Sequence, residues 1–157
     1  MKSIEEILVL HHSHLDLGYT HSQPVVERLH VEFIQQALDQ LDDTADWPEH
    51  SAPKWTCEVV WPVLAWLKQA DDSEVERFSQ HYAAGRIDVS ALPVGLTPLL
   101  GRDSLAELLK PLDVLKDRLG VVPRTALQHD VNGLPWPVTD NLLDSGVEAL
   151  FMGINAH

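Results

Sequence analysis

Strand-like and helix-like segments alternate along this chain of 157 residues, and that alternation is the feature that most constrains its fold. A β-then-α order predicts a mostly parallel sheet with helices packed outside it. Five such units fit an open sheet or the first part of a (β/α) barrel. We expect one α/β, barrel-like domain over residues 1–157 that is incomplete at about five units. The predicted strands are residues 4–10, 54–60, 86–91, 125–128 and 149–152.

Apolar spacing and end signals place the helices between these strands. After Pro24, apolar residues recur at three- and four-residue steps, which marks one buried helix face. Ser104 followed by Glu107 has the pattern of a capping box, and Pro111 in the same span predicts a kink or a split. Glycines are expected to end three of the helices. The predicted helices are residues 24–41, 62–70, 72–84, 104–119 and 137–144.

Charge and composition narrow the class of protein. The net charge of -13 argues against nucleic acid or an anionic membrane surface as a partner, and favours a neutral substrate or a cation. No apolar run is long enough to predict a membrane span. The chain begins with acidic Glu5 and Glu6 where an export signal would be apolar, and its single Cys57 suits a reducing compartment. A cytoplasmic location is therefore expected.

The segment His11–Asp16 holds three imidazoles and a carboxylate directly after the first predicted strand. Alternate side chains of an extended backbone share a face, so His12, His14 and Asp16 are expected to point the same way. Imidazole nitrogen with carboxylate oxygen is a ligand set typical of zinc. In the plainer interpretation His11 and His12 are ordinary strand-end residues, with His12 at most a hydrogen-bonding partner of a metal ligand.

A second polar segment, Gln128–Gly133, follows the fourth predicted strand. In barrels and open α/β sheets the chemistry lies at the carboxyl ends of the strands. His14, Asp16 and Asp130 are therefore expected to converge although they lie far apart in the sequence. The alternative is that Asp130 is only a turn or cap residue, since Asp before Asn and Gly is common in turns.

Several segments resemble glycoside hydrolase family 38, the α-mannosidases, in the N-terminal part of the catalytic domain. The family opens with His-Ser-His-Asn-Asp-Pro-Gly-Trp after an apolar strand, and this chain has His-Ser-His-Leu-Asp-Leu-Gly-Tyr at residues 12–19. Gly85–Val89 is similar to the family's Gly-Arg-strand segment, and a helix follows at Ser104. Leu119–Arg124 then leads into the predicted strand at residues 125–128 and on to Asp130, where the family also has Asp.

Carried over by position, the resemblance implies that His14, Asp16 and Asp130 bind one zinc ion. It also implies that Asp130 is the nucleophile of a retaining mechanism on α-mannosides. Tyr19 stands where the family has a tryptophan, and an aromatic ring there is able to stack on a sugar. Trp136, close after Asp130, is a second candidate for lining a sugar pocket. His12 and His129 are candidates for hydrogen-bonding partners around the metal.

The chain also departs from the family. Leu15 and Leu17 replace Asn and Pro, and His129 stands where an apolar residue is usual. The family's fourth zinc ligand, a histidine, and its acid/base lie further downstream than this sequence extends. The resemblance thus implies a chain that covers about half of a catalytic domain. Its expected partner is the remainder of that domain, in a longer chain or in a second polypeptide.

Two alternative functions remain open. His12-Ser13-His14 is also a His-x-His pair, which resembles the motif of amidohydrolase barrels and of histidinol-phosphatase-like phosphoesterases. Those families need further histidines after later strands, and here only His129 offers one. A truncated, inactive metal-binding domain is the non-enzymatic alternative. Outside these motifs, Glu58 and Asp88 lie on predicted strands and are expected to face solvent or to be paired, with the mouth of the barrel as the alternative. Four histidines outside the motifs are expected to be solvated: His21, His30, His50 and His81.

Overall fold

A computed structural model describes residues 3–154 and contains five strands and six helices in that range. The strands are β1 (His11–His12), β2 (Trp55–Cys57), β3 (Ile87–Val89), β4 (Thr125–His129) and β5 (Ala149–Gly153). The helices are α1 (Gln23–Asp43), α2 (Val60–Leu67), α3 (Asp72–Ala83), α4 (Arg102–Leu109), α5 (Pro111–Leu119) and α6 (Trp136–Asp144).

Every strand pair is parallel, which confirms the prediction of a mixed α/β fold with mostly parallel strands. One sheet has the order β1-β2-β3, and a second sheet holds β4 and β5. Two hydrogen bonds link the residues just after β3 to β4. Ala91 N–H donates to Thr125 O at 2.9 Å, and Leu127 N–H donates to the Ser90 hydroxyl at 2.6 Å. Within residues 3–154 the sheets do not close into a barrel.

The predicted first strand at residues 4–10 is wrong. Pairing with β2 begins only at His11, opposite Trp55, and the preceding residues are irregular and exposed. β2 itself starts just after Pro53, which lacks the N–H needed to extend a ladder. The N-terminal segment therefore has no partner strand before His11, and its apolar side chains stay in contact with water. Ile4, Ile7, Leu8, Val9 and Leu10 are all exposed.

The second strand is shorter than predicted, because β2 ends at Cys57 and α2 begins at Val60. Pro62 lies in the first turn of α2, where a backbone N–H has no helical partner and its loss costs nothing. The early helix start leaves Glu58 in the short turn at the carboxyl end of β2. That position, rather than one inside a strand, brings Glu58 to the rim described below.

Pro111 splits the span predicted as one kinked or divided helix. It is the first residue of α5, directly after α4, and Lys110 is the junction. Gly120, with φ +66°, ends α5 in the left-handed conformation predicted from its residue type. The Ser104 capping box is wrong, because α4 already begins at Arg102 and Ser104 lies inside it. None of the helices within residues 3–154 is long and apolar enough to cross a membrane.

Two buried clusters support the sheets from behind. The larger packs α1, α2, α3 and α5 around β2 and β3, with Trp66 and Phe78 at a ring separation of 5.2 Å near its centre. The smaller packs α4 and α6 on β4, around Ala126 and Leu142. Because the strands run in the same direction over these clusters, their carboxyl ends open on one rim of the molecule.

Candidate metal centre

The rim at the carboxyl ends of β1, β2 and β4 collects the polar side chains of this structure. His12 and His14 come at and after β1, Glu58 follows β2, and His129 and Asp130 end β4. A pocket of about 120 Å³ opens there, and His14, Glu58, His129 and Asp130 are among the residues that line it. The side chains fall into two groups, one exposed and one largely buried.

His14, Asp16 and Asp130 form the exposed group, which we call the outer ligand group. Nε2 of His14 lies 3.9 Å from an Asp16 carboxylate oxygen and 3.8 Å from an Asp130 carboxylate oxygen. One ligand atom from each residue falls within 4.8 Å of the others. Tetrahedral ligands about 2.1 Å from a zinc ion lie roughly 3.4 Å apart, which is less than either distance from His14, so the three side chains would have to move closer together to share one cation. The structure brings together the three residues predicted to bind a metal.

Glu58 is the site residue that the sequence did not single out. Its carboxylate accepts a hydrogen bond from Nδ1 of His14 at 2.9 Å and one from Nδ1 of His12 at 3.1 Å. Only 7% of its side chain is exposed. When His14 carries its proton on Nδ1, the lone pair of Nε2 is left directed toward Asp16 and Asp130. A carboxylate behind the ligating imidazole is the usual way in which proteins orient such a ligand.

His12, Glu58 and His129 form the second group, which we call the inner ligand group. Nδ1 of His129 lies 3.4 Å from a Glu58 oxygen. The His12 and His129 rings are 5.2 Å apart at a tilt of 50°. One ligand atom from each of the three residues again falls within 4.8 Å of the others. His12 and His129, predicted as hydrogen-bonding partners around the metal, thus contact Glu58, which in turn contacts His14.

The surroundings of His14 favour positive charge at the outer ligand group. Burial lowers the pKa of His14, but the hydrogen bond that its ring donates to Glu58 and the charges of Glu58, Asp16 and Asp130 raise it by more. The net effect is a pKa above the ordinary value for histidine. A divalent cation would replace the ring proton in this field of carboxylates, so cation binding and protonation of His14 compete.

Asp130 has an unusual backbone. Its φ of +57° lies in the left-handed region, which Asp enters more readily than most residues with a side chain. The Asp130 N–H donates to Gly153 O at 2.7 Å, so β5 holds the turn in place. Left-handed residues of this kind cost about 1–3 kcal/mol and cluster at functional sites. The turn role considered for Asp130 and its position in the outer ligand group therefore occur together.

His30 fastens the loop that carries the outer ligand group to helix α1. The prediction that it is solvated is wrong, because it is buried with its ring edge-on to Trp61 at 5.5 Å. Burial lowers the pKa of His30, more than the hydrogen bond to Leu15 raises it, and so favours the neutral ring. Its Nε2 donates to the backbone oxygen of Leu15 at 3.3 Å, between His14 and Asp16.

The two aromatic residues predicted to contact a sugar lie on the surface. Tyr19 and Trp136 are each 85% exposed, and neither is among the residues that line the pocket beside His14. Aromatic rings exposed to this degree are available to a ligand or to another protein surface. Their contact with sugar remains a prediction.

No protein-family model and no curated protein matches this chain. The family resemblance described above therefore depends on the motif residues themselves.

Proposed function

We propose that the chain is the N-terminal part of a (β/α) barrel domain that acts as a zinc-dependent retaining glycoside hydrolase on α-mannosides. The observation that supports this most is the outer ligand group. His14 and Asp16 follow β1, Asp130 follows β4, and their ligand atoms meet at one rim. The same residues are those that align with the zinc ligands in the resemblance to family 38.

The outer ligand group fits a zinc ion by its chemistry. One imidazole nitrogen and two carboxylate oxygens are a mixed set that zinc accepts, and half-exposed side chains leave room for a further ligand. Bound zinc would keep Asp130 ionised and hold vicinal hydroxyls of the sugar. Glu58 fixes the His14 ring, and His30 fixes the backbone of Leu15 between the two ligands.

Asp130 is the proposed nucleophile. Its carboxylate oxygen forms a bond to the anomeric carbon while the bond from that carbon to the leaving oxygen breaks, and an acid group protonates that oxygen. Water then hydrolyses the glycosyl–enzyme ester, with the same acid group acting as base. A retaining site requires that second carboxyl group about 5–5.5 Å from the nucleophile. We assign it to the remainder of the domain.

The remainder of the domain is also the proposed protein partner, in a longer chain or in a second polypeptide. β5 pairs on one side only, with β4, within residues 3–154. Phe151 on β5 and Ile154 beyond it are 61% and 69% exposed. An apolar strand with an open edge is a surface on which a further parallel strand is able to pair.

The test is hydrolysis of an aryl α-mannoside after zinc loading, with this chain and with a longer chain that includes the rest of the domain. We expect turnover in the longer chain. We also expect a loss of at least about a thousandfold in Asp130→Asn, which removes the nucleophile. Asp140→Asn, on an exposed position of α6, is the matched control and should keep full activity. Absence of turnover in the zinc-loaded longer chain would refute the proposal.

A second candidate is a metal hydrolase of the amidohydrolase or phosphoesterase type. The observation in its favour is that His12 and His129 converge on Glu58, next to His14. His12→Ala distinguishes the two. It should abolish metal binding at the outer ligand group if His12 and His14 share a cation, and only weaken binding there if His12 acts through Glu58. Aggregation of a zinc-free product would instead support the inactive, truncated domain.

A further inference from the structure

The inner ligand group brings together three metal-binding side chains from three different strand ends. His12 lies on β1, Glu58 follows β2, and His129 ends β4. Both imidazoles point Nδ1 at the carboxylate, His12 at 3.1 Å and His129 at 3.4 Å. One ligand atom from each residue lies within 4.8 Å of the other two.

The burial of Glu58 makes the group a place where positive charge is stabilised. Its side chain is 7% exposed, against 30% for His12 and 21% for His129. Among residues 3–154, no lysine or arginine forms an ion pair with Glu58; the nitrogens within 4.0 Å of its carboxylate belong to the imidazoles of His12, His14 and His129. A buried carboxylate is costly unless donors or cations compensate it. A divalent cation would supply that compensation together with the ring of His14.

We propose that His12, Glu58 and His129 bind a second divalent cation, separate from the one assigned to the outer ligand group. Two imidazole nitrogens and one carboxylate oxygen are the protein ligands of many catalytic zinc sites, which keep a fourth position open. The set favours zinc, cobalt or nickel over magnesium and calcium. The outer ligand group has one imidazole and two carboxylates and is the less selective of the two. This second site does not depend on the mannosidase assignment.

The orientation of the His129 ring supports the site independently. Opposite His129 on β5 stands Gly153, and a Cβ added there would lie 3.0 Å from Cδ2 of the ring. Phe151 packs edge-on against the same ring at a centroid distance of 5.5 Å. Glycine leaves room for the ring on one side and phenylalanine bounds it on another. The ring is therefore held with Nδ1 toward Glu58 before any cation arrives, which is what a pre-organised ligand requires.

Zinc stoichiometry tests the proposal. The chain is stripped with a chelator and titrated with Zn²⁺ by calorimetry, and bound metal is then measured by elemental analysis. We expect two zinc ions per wild-type chain and one in His129→Gln. We also expect one in Asp16→Asn, and none in the double variant. His50→Gln removes an exposed imidazole outside both groups and should still bind two. Circular dichroism of each variant checks that the helices are retained.

A single zinc ion in the wild type that is lost in Asp16→Asn and kept in His129→Gln would overturn the second site and leave the outer site standing. The inner ligand group would then be a hydrogen-bonded cluster that binds no cation. Gly153→Ala provides a check without removal of a ligand, because it displaces the His129 ring. It should weaken the inner site about tenfold and leave the outer site unchanged. An inner-site affinity in Gly153→Ala that equals the wild-type value would also contradict the proposal. Inactivity toward mannosides in a longer chain that includes the rest of the domain and binds two zinc ions would refute the mannosidase assignment alone.

Discussion

Two segments supply the outer ligand group, and they are built differently. β4 pairs with β5 over all of Thr125–His129, and its Ala126 and Gln128 are fully buried. The N-terminal segment before His14 pairs over two residues only, and its Val9 and Leu10 are 69% and 68% exposed. Both segments lead into residues of the outer ligand group. The difference shows that apolar residues form a buried strand only where a partner strand and a covering layer exist.

The largest expected effect comes from placing a charge in each segment. Ala126→Asp puts a carboxyl group without partners into the smaller cluster and should lower the free energy of unfolding by about 3 kcal/mol or more. Val9→Asp should change it by less than about 0.5 kcal/mol, because the side chain is already in water. Urea denaturation followed by circular dichroism measures both. Equal destabilisation by the two variants would mean that the N-terminal segment is buried in solution.

The next effect concerns what holds each half of the outer ligand group. His14 depends on the Glu58 carboxylate, whereas Asp130 is held by a backbone bond to Gly153. Glu58→Gln should therefore weaken zinc binding to the outer ligand group about 10- to 100-fold. The measurement is calorimetry in a His129→Gln background, which silences the inner ligand group. Glu49→Gln, on an exposed loop, is the control. Unchanged affinity after Glu58→Gln would show that Glu58 does not orient His14.

The left-handed backbone of Asp130 predicts a smaller effect on stability. Asp130→Gly and Asp130→Ala both remove the carboxylate and should both lose zinc at the outer ligand group. Glycine accepts the φ of +57° and alanine does not, so the glycine variant should be more stable by about 1 kcal/mol. Thermal or urea unfolding of the zinc-free proteins measures the difference. Equal stability would mean that the turn relaxes when the side chain is removed.

The smallest expected effect concerns Cys57, the last residue of β2. Its rate of alkylation should not respond to a rise in pH. Burial, with the nearby Asp88 charge, raises the pKa of the Cys57 thiol to about 12. A thiol with an ordinary pKa becomes more reactive between about pH 7 and about pH 9, because its thiolate fraction rises. In the folded protein that rise should be missing at Cys57, and alkylation should stay slow. In urea the rate should increase steeply with pH. Rapid labelling of the folded protein would show that β2 opens readily.

The parts predicted correctly follow from local signals reinforced along the chain. The alternation of apolar segments predicted the later strands and the parallel sheets, and Pro111 and Gly120 marked real helix boundaries. The rule that chemistry lies at strand ends identified the residues that the structure assembles at the rim, His14, Asp16 and Asp130.

The parts missed depend on tertiary context. An apolar run at residues 4–10 carries the same local pattern whether or not a partner strand is present. The position of Glu58 at the rim was missed because Val59 and Val60 continue the apolar pattern of β2, although the backbone turns into α2 there. The burial of His30 was missed because its hydrogen-bond acceptor is the backbone carbonyl of Leu15. Every residue has such a group, so the sequence does not mark which one will meet the ring.

Glu58 has two oxygens and three neighbouring imidazoles, from His12, His14 and His129. A change at Glu58 itself, such as loss of its charge, therefore reaches all three rings at once, whereas a change at one ring leaves the carboxylate available to the other two.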